Sequence, residues 1–132
     1  MAALVLVEPP LEPATPQDIA SYIVYEANRI DYEDPLLALN IVASESNFQN
    51  ICNRQYGCIA GIGYFQIVRS TFKSFCDGDV FNGFDNLRCG IKILKESGHH
   101  HWDMSAFGHG GWYKNYVSAS LMLSRIMHPE LF

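Results

Sequence analysis

Glu45 is the residue in this 132-residue chain best placed to carry chemistry. Read at 3.6 residues per turn, Ala38, Ile41, Val42, Glu45 and Phe48 share one face of a helix, and only the glutamate on that face is polar. A carboxylate in an apolar stripe is costly to ionise unless something pairs with it. Glu45 also falls near the helix C-terminus, where the backbone dipole disfavours negative charge. Both effects raise a carboxyl pKa, as a general acid working near neutral pH requires. The plain alternative is a helix-end glutamate that is solvated or salt-bridged. Gln66 is a second polar group in apolar company, within Gly63-Tyr64-Phe65-Gln66-Ile67. It is either a satisfied amide in a buried segment or a glutamine aimed into a cleft. Trp102 has a ring face suited to stacking on the apolar face of a sugar, or serves as a lid on the core.

Other constellations carry less. Asp77-Gly78-Asp79 reads as a turn, without the ligand set or the bidentate glutamate of a calcium loop. Three adjacent histidines, His99 to His101, cannot all point one way and read as a polar loop. Gly108-His109-Gly110-Gly111 lacks the pattern of a nucleotide-binding loop. Cys52, Cys58, Cys76 and Cys89 contain no Cys-x-x-Cys pair, which disfavours zinc. Four cysteines allow three pairings, and sequence order favours Cys52–Cys58 with Cys76–Cys89. An even count suits an oxidising compartment, with reduced, buried cysteines as the alternative. No metal and no cofactor is expected.

The elements that must position these residues are helical. Asp34 as cap and Pro35 at the first helical position start the helix that bears Glu45. An earlier helix opens at Thr15-Pro16-Gln17-Asp18, carries Ile19, Ile23 and Ala27, and ends near Arg29. A short helix covers 70–75. A further one, capped by Asp85, runs from Asn86 to about Ser97 with Gly98 as its stop and Leu87, Ile91 and Leu94 on its buried side. The last spans about 114–127, with Val117, Leu121, Leu123 and Ile126 apolar. Between Asn47 and Ile62 polar residues and glycines mark an ordered loop, with at most one hairpin-like pair in 55–67. Fold class is therefore mainly α. Residues 1–14, with Pro9, Pro10 and Pro13, read as a leader or linker, and 15–132 as one domain. The net charge of −5 and the absence of a basic run argue against a nucleic-acid partner. The apolar stretch 2–7 is too short for a membrane span or a signal segment.

Over roughly residues 17–102 these pieces resemble the soluble lytic transglycosylase family, which has a lysozyme-like fold. The resemblance rests on several segments in the same order. Glu45-Ser46-Asn47-Phe48 is similar to the Glu-Ser-x-Phe signature, and Gly61-Ile62-Gly63-Tyr64-Phe65-Gln66-Ile67 to the Gly-Leu-Met-Gln-(Ile/Leu) segment. Ser70-Thr71-Phe72 sits where the family has Pro-x-Thr. Asp85-Asn86-Leu87 with Gly90-Ile91-Lys92-Ile93-Leu94 is similar to Asn-Ile-x-x-Gly-x-x-Tyr-Leu. Departures are a longer, cysteine-bearing loop between Glu45 and Gln66, and only a faint echo of Ala-Ala-Tyr-Asn-x-Gly in 105–110. There Phe107 lacks the tyrosine hydroxyl that Tyr113 or Tyr116 would have to replace.

The resemblance implies an α+β lysozyme-like domain with a substrate cleft and at most a small hairpin. It implies cleavage of the β-1,4 bond between N-acetylmuramic acid and N-acetylglucosamine, closing a 1,6-anhydro ring. Glu45 would act as acid and then as base. Gln66, Val68 through its backbone, Tyr64, Trp102 and Ser46 would contact the glycan. A hydrolase usually needs two carboxylates, and Asp77, Asp79 and Asp85 each have a turn or cap role that explains them, which favours the single-acid route. A muramidase or a non-catalytic glycan-binding module is the alternative. The partner would be peptidoglycan glycan strands, the location extracytoplasmic and the protein a monomer.

Overall fold

The computed structural model describes residues 15–52, 58, 61–102 and 116–128, and within the last segment the side chains of 121 and 123–128. The proline-rich leader 1–14, Phe107, the glycines of 108–111 and Tyr113 lie outside the described residues, as do the side chains of Tyr116 and Val117.

The structure is mainly helical. Helix α1 spans Pro16–Arg29, α2 Pro35–Ser46, α3 Arg69–Phe75, α4 Gly83–Ser97 and α5 Tyr116–Met127, with a 3-10 turn over His100–Trp102. Local signals set the starts as expected. Thr15 and Asp18 form a reciprocal capping box, Thr15 Oγ1 accepting the Asp18 amide and Asp18 Oδ2 accepting the Thr15 amide. Asp34 Oδ1 accepts the Leu37 amide with Pro35 at the first position of α2. The start of α4 differs. Asn82, not Asp85, is its cap: Asn82 Oδ1 accepts the Asp85 amide, and the Asp85 side chain, inside the first turn, accepts the Asp79 amide. Asn82 has an Asp three residues later, so the cap lies one turn upstream of where Asp85 alone suggests it. No strand forms among the described residues. Of the hairpin-like pair expected in 55–67, residues 55–57, 59 and 60 lie outside the described residues; the described ones carry two isolated antiparallel bridges, Cys52 with Ile62 and Ile62 with Ile67.

Helix α2 is the centre of the fold and lies against α1, α4 and α5. Five consecutive residues, Ala38 to Val42, are buried, so the helix is covered nearly all round rather than along one stripe. Around it gather Ile19, Ile23 and Ala27 from α1, Leu87, Ile91 and Ile93 from α4, and Phe65 and Trp102. On α5, Leu123 and Ile126 pack against this core, whereas Leu121 is half exposed.

Candidate functional site

Glu45 lies in the last turn of α2 and is half-buried, one turn after Ile41 and Val42, which have no exposed surface. The helix then stops abruptly. Asn47 and Phe48 take left-handed φ values of 51° and 62°, so Phe48 leaves the helical face it would share with Glu45 and packs against the core from outside the helix. Left-handed backbone costs a residue with a side chain roughly 1–2 kcal/mol. Among the described residues, Asn47, Phe48, Cys58 and Gln66 all adopt it within the stretch that links Glu45 to Gln66. Strain of this kind persists only where the surroundings over-determine it.

Those surroundings are visible in the hydrogen bonds. Ile62 and Ile67 exchange backbone bonds at 3.1 and 2.9 Å, closing a tight turn over 63–66. The carbonyl of Ile51, six residues after Glu45 in the chain, accepts both the Gly63 amide and Gln66 Nε2, each at 2.8 Å. Gln66 Nε2 also donates to Gly63 O at 2.8 Å. The glutamine nitrogen is therefore spent inside the loop. Beneath the turn lies Asn86 of α4, with no exposed surface: Oδ1 accepts the Phe65 amide at 2.9 Å and Nδ2 donates to Ile62 O and Val80 O. Gly63 (φ 79°) and Gly90 make this fit possible. A Cβ on Gly63 would fall 2.2 Å from Asn86 Nδ2, and one on Gly90 2.2 Å from Phe65 Cδ2.

Three residues expected to touch a glycan belong instead to the interior. Ser46 is buried and its Oγ donates back to Val42 O at 3.1 Å, so its hydroxyl is satisfied within α2. Tyr64 is 3% exposed and joins the core. Trp102 is 4% exposed, donates Nε1 to Phe65 O at 2.7 Å and packs on the Phe65 ring, which makes it the lid and not the platform. Gln66 and Val68 reach the surface, Val68 being 39% exposed and capping α3. Asn86, of the Asp85-Asn86-Leu87 segment, organises the turn. Its signal was an amide at the start of an amphipathic helix, on the side that also carries Gly90.

Both disulfides form with the pairing expected, Cys52–Cys58 and Cys76–Cys89, at Cα separations of 5.1 and 5.8 Å. The first fastens the strained loop next to the Cys52–Ile62 bridge, and the second ties the end of α3 to α4. Two acids of the 77–85 segment, Asp79 and Asp85, are structural. Asp79 Oδ1 accepts the Phe81 amide, and Asp85 accepts the Asp79 amide while pairing with Arg88. No group of three potential metal ligands occurs among the described residues. A groove of about 460 Å³ runs along α1 and α4. Glu26, Arg29, Asp85, Arg88, Lys92 and Lys95 line it, and neither Glu45 nor Gln66 does. No described helix is long and apolar enough to cross a membrane.

The chain matches no protein-family model, no curated protein and no solved structure.

Proposed function

We propose that this protein is a peptidoglycan lytic transglycosylase of lysozyme-like fold, acting through Glu45. The carrying observation is the double acceptor at Ile51. One carbonyl, just after the acid-bearing helix, holds both Gly63 and Gln66 and so fastens the glutamine turn to the loop that follows Glu45. Motif segments that are far apart in sequence thereby become one assembly, with Asn86 and Gly90 supplying the anchor and the space.

In this reading protonated Glu45 gives its proton to the glycosidic oxygen as the C1–O bond of the muramyl residue breaks. The substrate's acetamido group stabilises the oxocarbenium-like centre. Glu45, now a carboxylate, takes the proton of the muramyl 6-hydroxyl as that oxygen bonds to C1, and no water is consumed. With Nε2 occupied, Gln66 offers its Oε1 to a saccharide hydroxyl. The engagement of Asp79 and Asp85 in turn and ion-pair contacts favours one acid over the two-carboxylate arrangement of hydrolases. Two disulfides in a small domain fit an extracytoplasmic enzyme acting on glycan strands as a monomer.

The test is digestion of purified sacculi with mass spectrometry of the products. Anhydromuropeptides from the native protein, and a loss of about 100-fold or more in Glu45→Gln with an unchanged melting temperature, are the expected results. Products heavier by one water would replace the reading with a muramidase. Glycan binding with no released product would replace it with a binding module.

A further inference from the structure

Phe81 is held with unusual firmness for an exposed aromatic. Its amide donates to Asp79 Oδ1 at 2.9 Å and its carbonyl accepts Asn50 Nδ2 at 3.0 Å, yet its side chain is 42% exposed. Asn50 belongs to the loop that follows Glu45, next to Ile51, which is 46% exposed. On the other side the Arg69 guanidinium lies over the Phe81 ring at 5.1 Å, and Arg69 follows Val68, also exposed. Single exposed apolar residues are ordinary. Here three, Ile51, Val68 and Phe81, are linked through Asn50, Gln66 and Arg69 into one surface beside the glutamine turn.

The charge on that surface differs from that in the groove. In the groove along α1 and α4, Arg29 and Arg88 are paired with Glu26 and Asp85, while Lys92 and Lys95 donate to the carbonyls of Phe75 and Ile30. Arg69 has no carboxylate partner among the described residues. A guanidinium stacked on an aromatic ring keeps its N–H edge for a planar anion such as a carboxylate. The ring and its apolar neighbours offer the complementary surface for a sugar face.

We propose that Phe81 and Arg69 form a subsite for an anionic sugar, with the N-acetylmuramyl ring resting on Phe81 and, where the muramyl unit carries no stem peptide, its free lactyl carboxylate on Arg69. The choice of sugar rests on the glycan-cleaving reading of Glu45. Asn50 and Asp79 hold the backbone of Phe81 before the ligand arrives, so less ordering remains to be done on binding. The subsite takes over the stacking role for which Trp102 is too deeply buried.

The experiment uses calorimetric titration in the Glu45→Gln background, so that the ligand survives. The probes are a tetrasaccharide of alternating N-acetylglucosamine and N-acetylmuramic acid with free lactyl carboxylates, and neutral chitotetraose. Arg69→Ala should weaken the anionic tetrasaccharide about tenfold and leave chitotetraose unchanged. Phe81→Ala should weaken both about tenfold. Both side chains are exposed, so melting temperatures should stay within a degree or two of the parent, as for other surface substitutions. Should the native protein release anhydromuropeptides while both variants bind like the parent, the subsite falls and the enzyme stands. Should the native protein cleave nothing while binding still depends on both side chains, the subsite stands and the catalytic reading falls. Absence of binding to either probe overturns the subsite.

Discussion

Asn86 and Phe65, 21 positions apart, are joined by a hydrogen bond from the Phe65 amide to the Asn86 Oδ1 at 2.9 Å, with the asparagine fully buried. The same amide group donates to Ile62 O and Val80 O. One side chain therefore satisfies three backbone groups from two loops that make few regular bonds of their own. The ring of Phe65 completes the lock by filling the space left by Gly90 and by packing on Trp102, whose Nε1 returns to the Phe65 carbonyl. Gln66, the next residue, inherits its position from this arrangement.

Replacing Asn86 by Ala should be among the most damaging single changes outside the aliphatic core. It strands the Phe65 amide and the Val80 carbonyl without their partner, while the Ile62 carbonyl keeps the Ile67 amide. Each unsatisfied buried group costs about 1–3 kcal/mol, so a total loss of about 2 kcal/mol or more is expected. The midpoint of urea unfolding measures it. A loss below about 1 kcal/mol would mean that the two groups find other partners easily.

The two disulfides should contribute unequally. Cys76–Cys89 spans a sequence separation of 13 and Cys52–Cys58 one of 6. By loop-closure entropy the paired Ser replacements should lose about 3 and about 2 kcal/mol respectively. Their effects on the site should run the other way. The shorter loop is next to Ile51 and the Cys52–Ile62 bridge, so its removal should loosen the Gln66 turn, read as faster amide exchange at Gly63 and Gln66. Equal exchange rates in both variants would contradict that assignment.

Caps, prolines and apolar spacing made most of the helical frame readable in the sequence. Thr15, Asp34 and Gly98 act locally, so their signals survive without knowledge of the tertiary structure. The disulfide pairing was readable for the same reason, since neighbours in sequence close the shortest loops. Side-chain roles in the 46–68 region were not. Ser46 and Trp102 carry polar atoms that suit a ligand as well as they suit a backbone carbonyl, and only packing decides which they meet. The importance of Phe81 was hidden likewise. Nothing local distinguishes an exposed phenylalanine from a buried one, and its anchors, Asn50 and Arg69, are distant in sequence.

Tyr32 makes stability sensitive to alkaline pH. It sits in the connector between α1 and α2, half-buried, its amide donating to Ala27 O at 2.7 Å. Burial disfavours the phenolate, and the carboxylates of Asp34 and Glu33 add repulsion, so its pKa is raised above the ordinary value of 10.0. Burial also raises Tyr22, opposed by the nearby Arg88. A folded-state pKa above the unfolded one contributes stability that is complete below the unfolded value. Above about pH 10 the unfolded chain releases the proton first, and stability falls until the folded-state pKa is passed. Urea midpoints should therefore carry no contribution from Tyr32 ionisation between about pH 7 and 9 and should drop from about pH 10 upward. Tyr32→Phe should show a shallower drop over the same range. An identical slope in that variant would assign the alkaline loss to Tyr22 or to other groups.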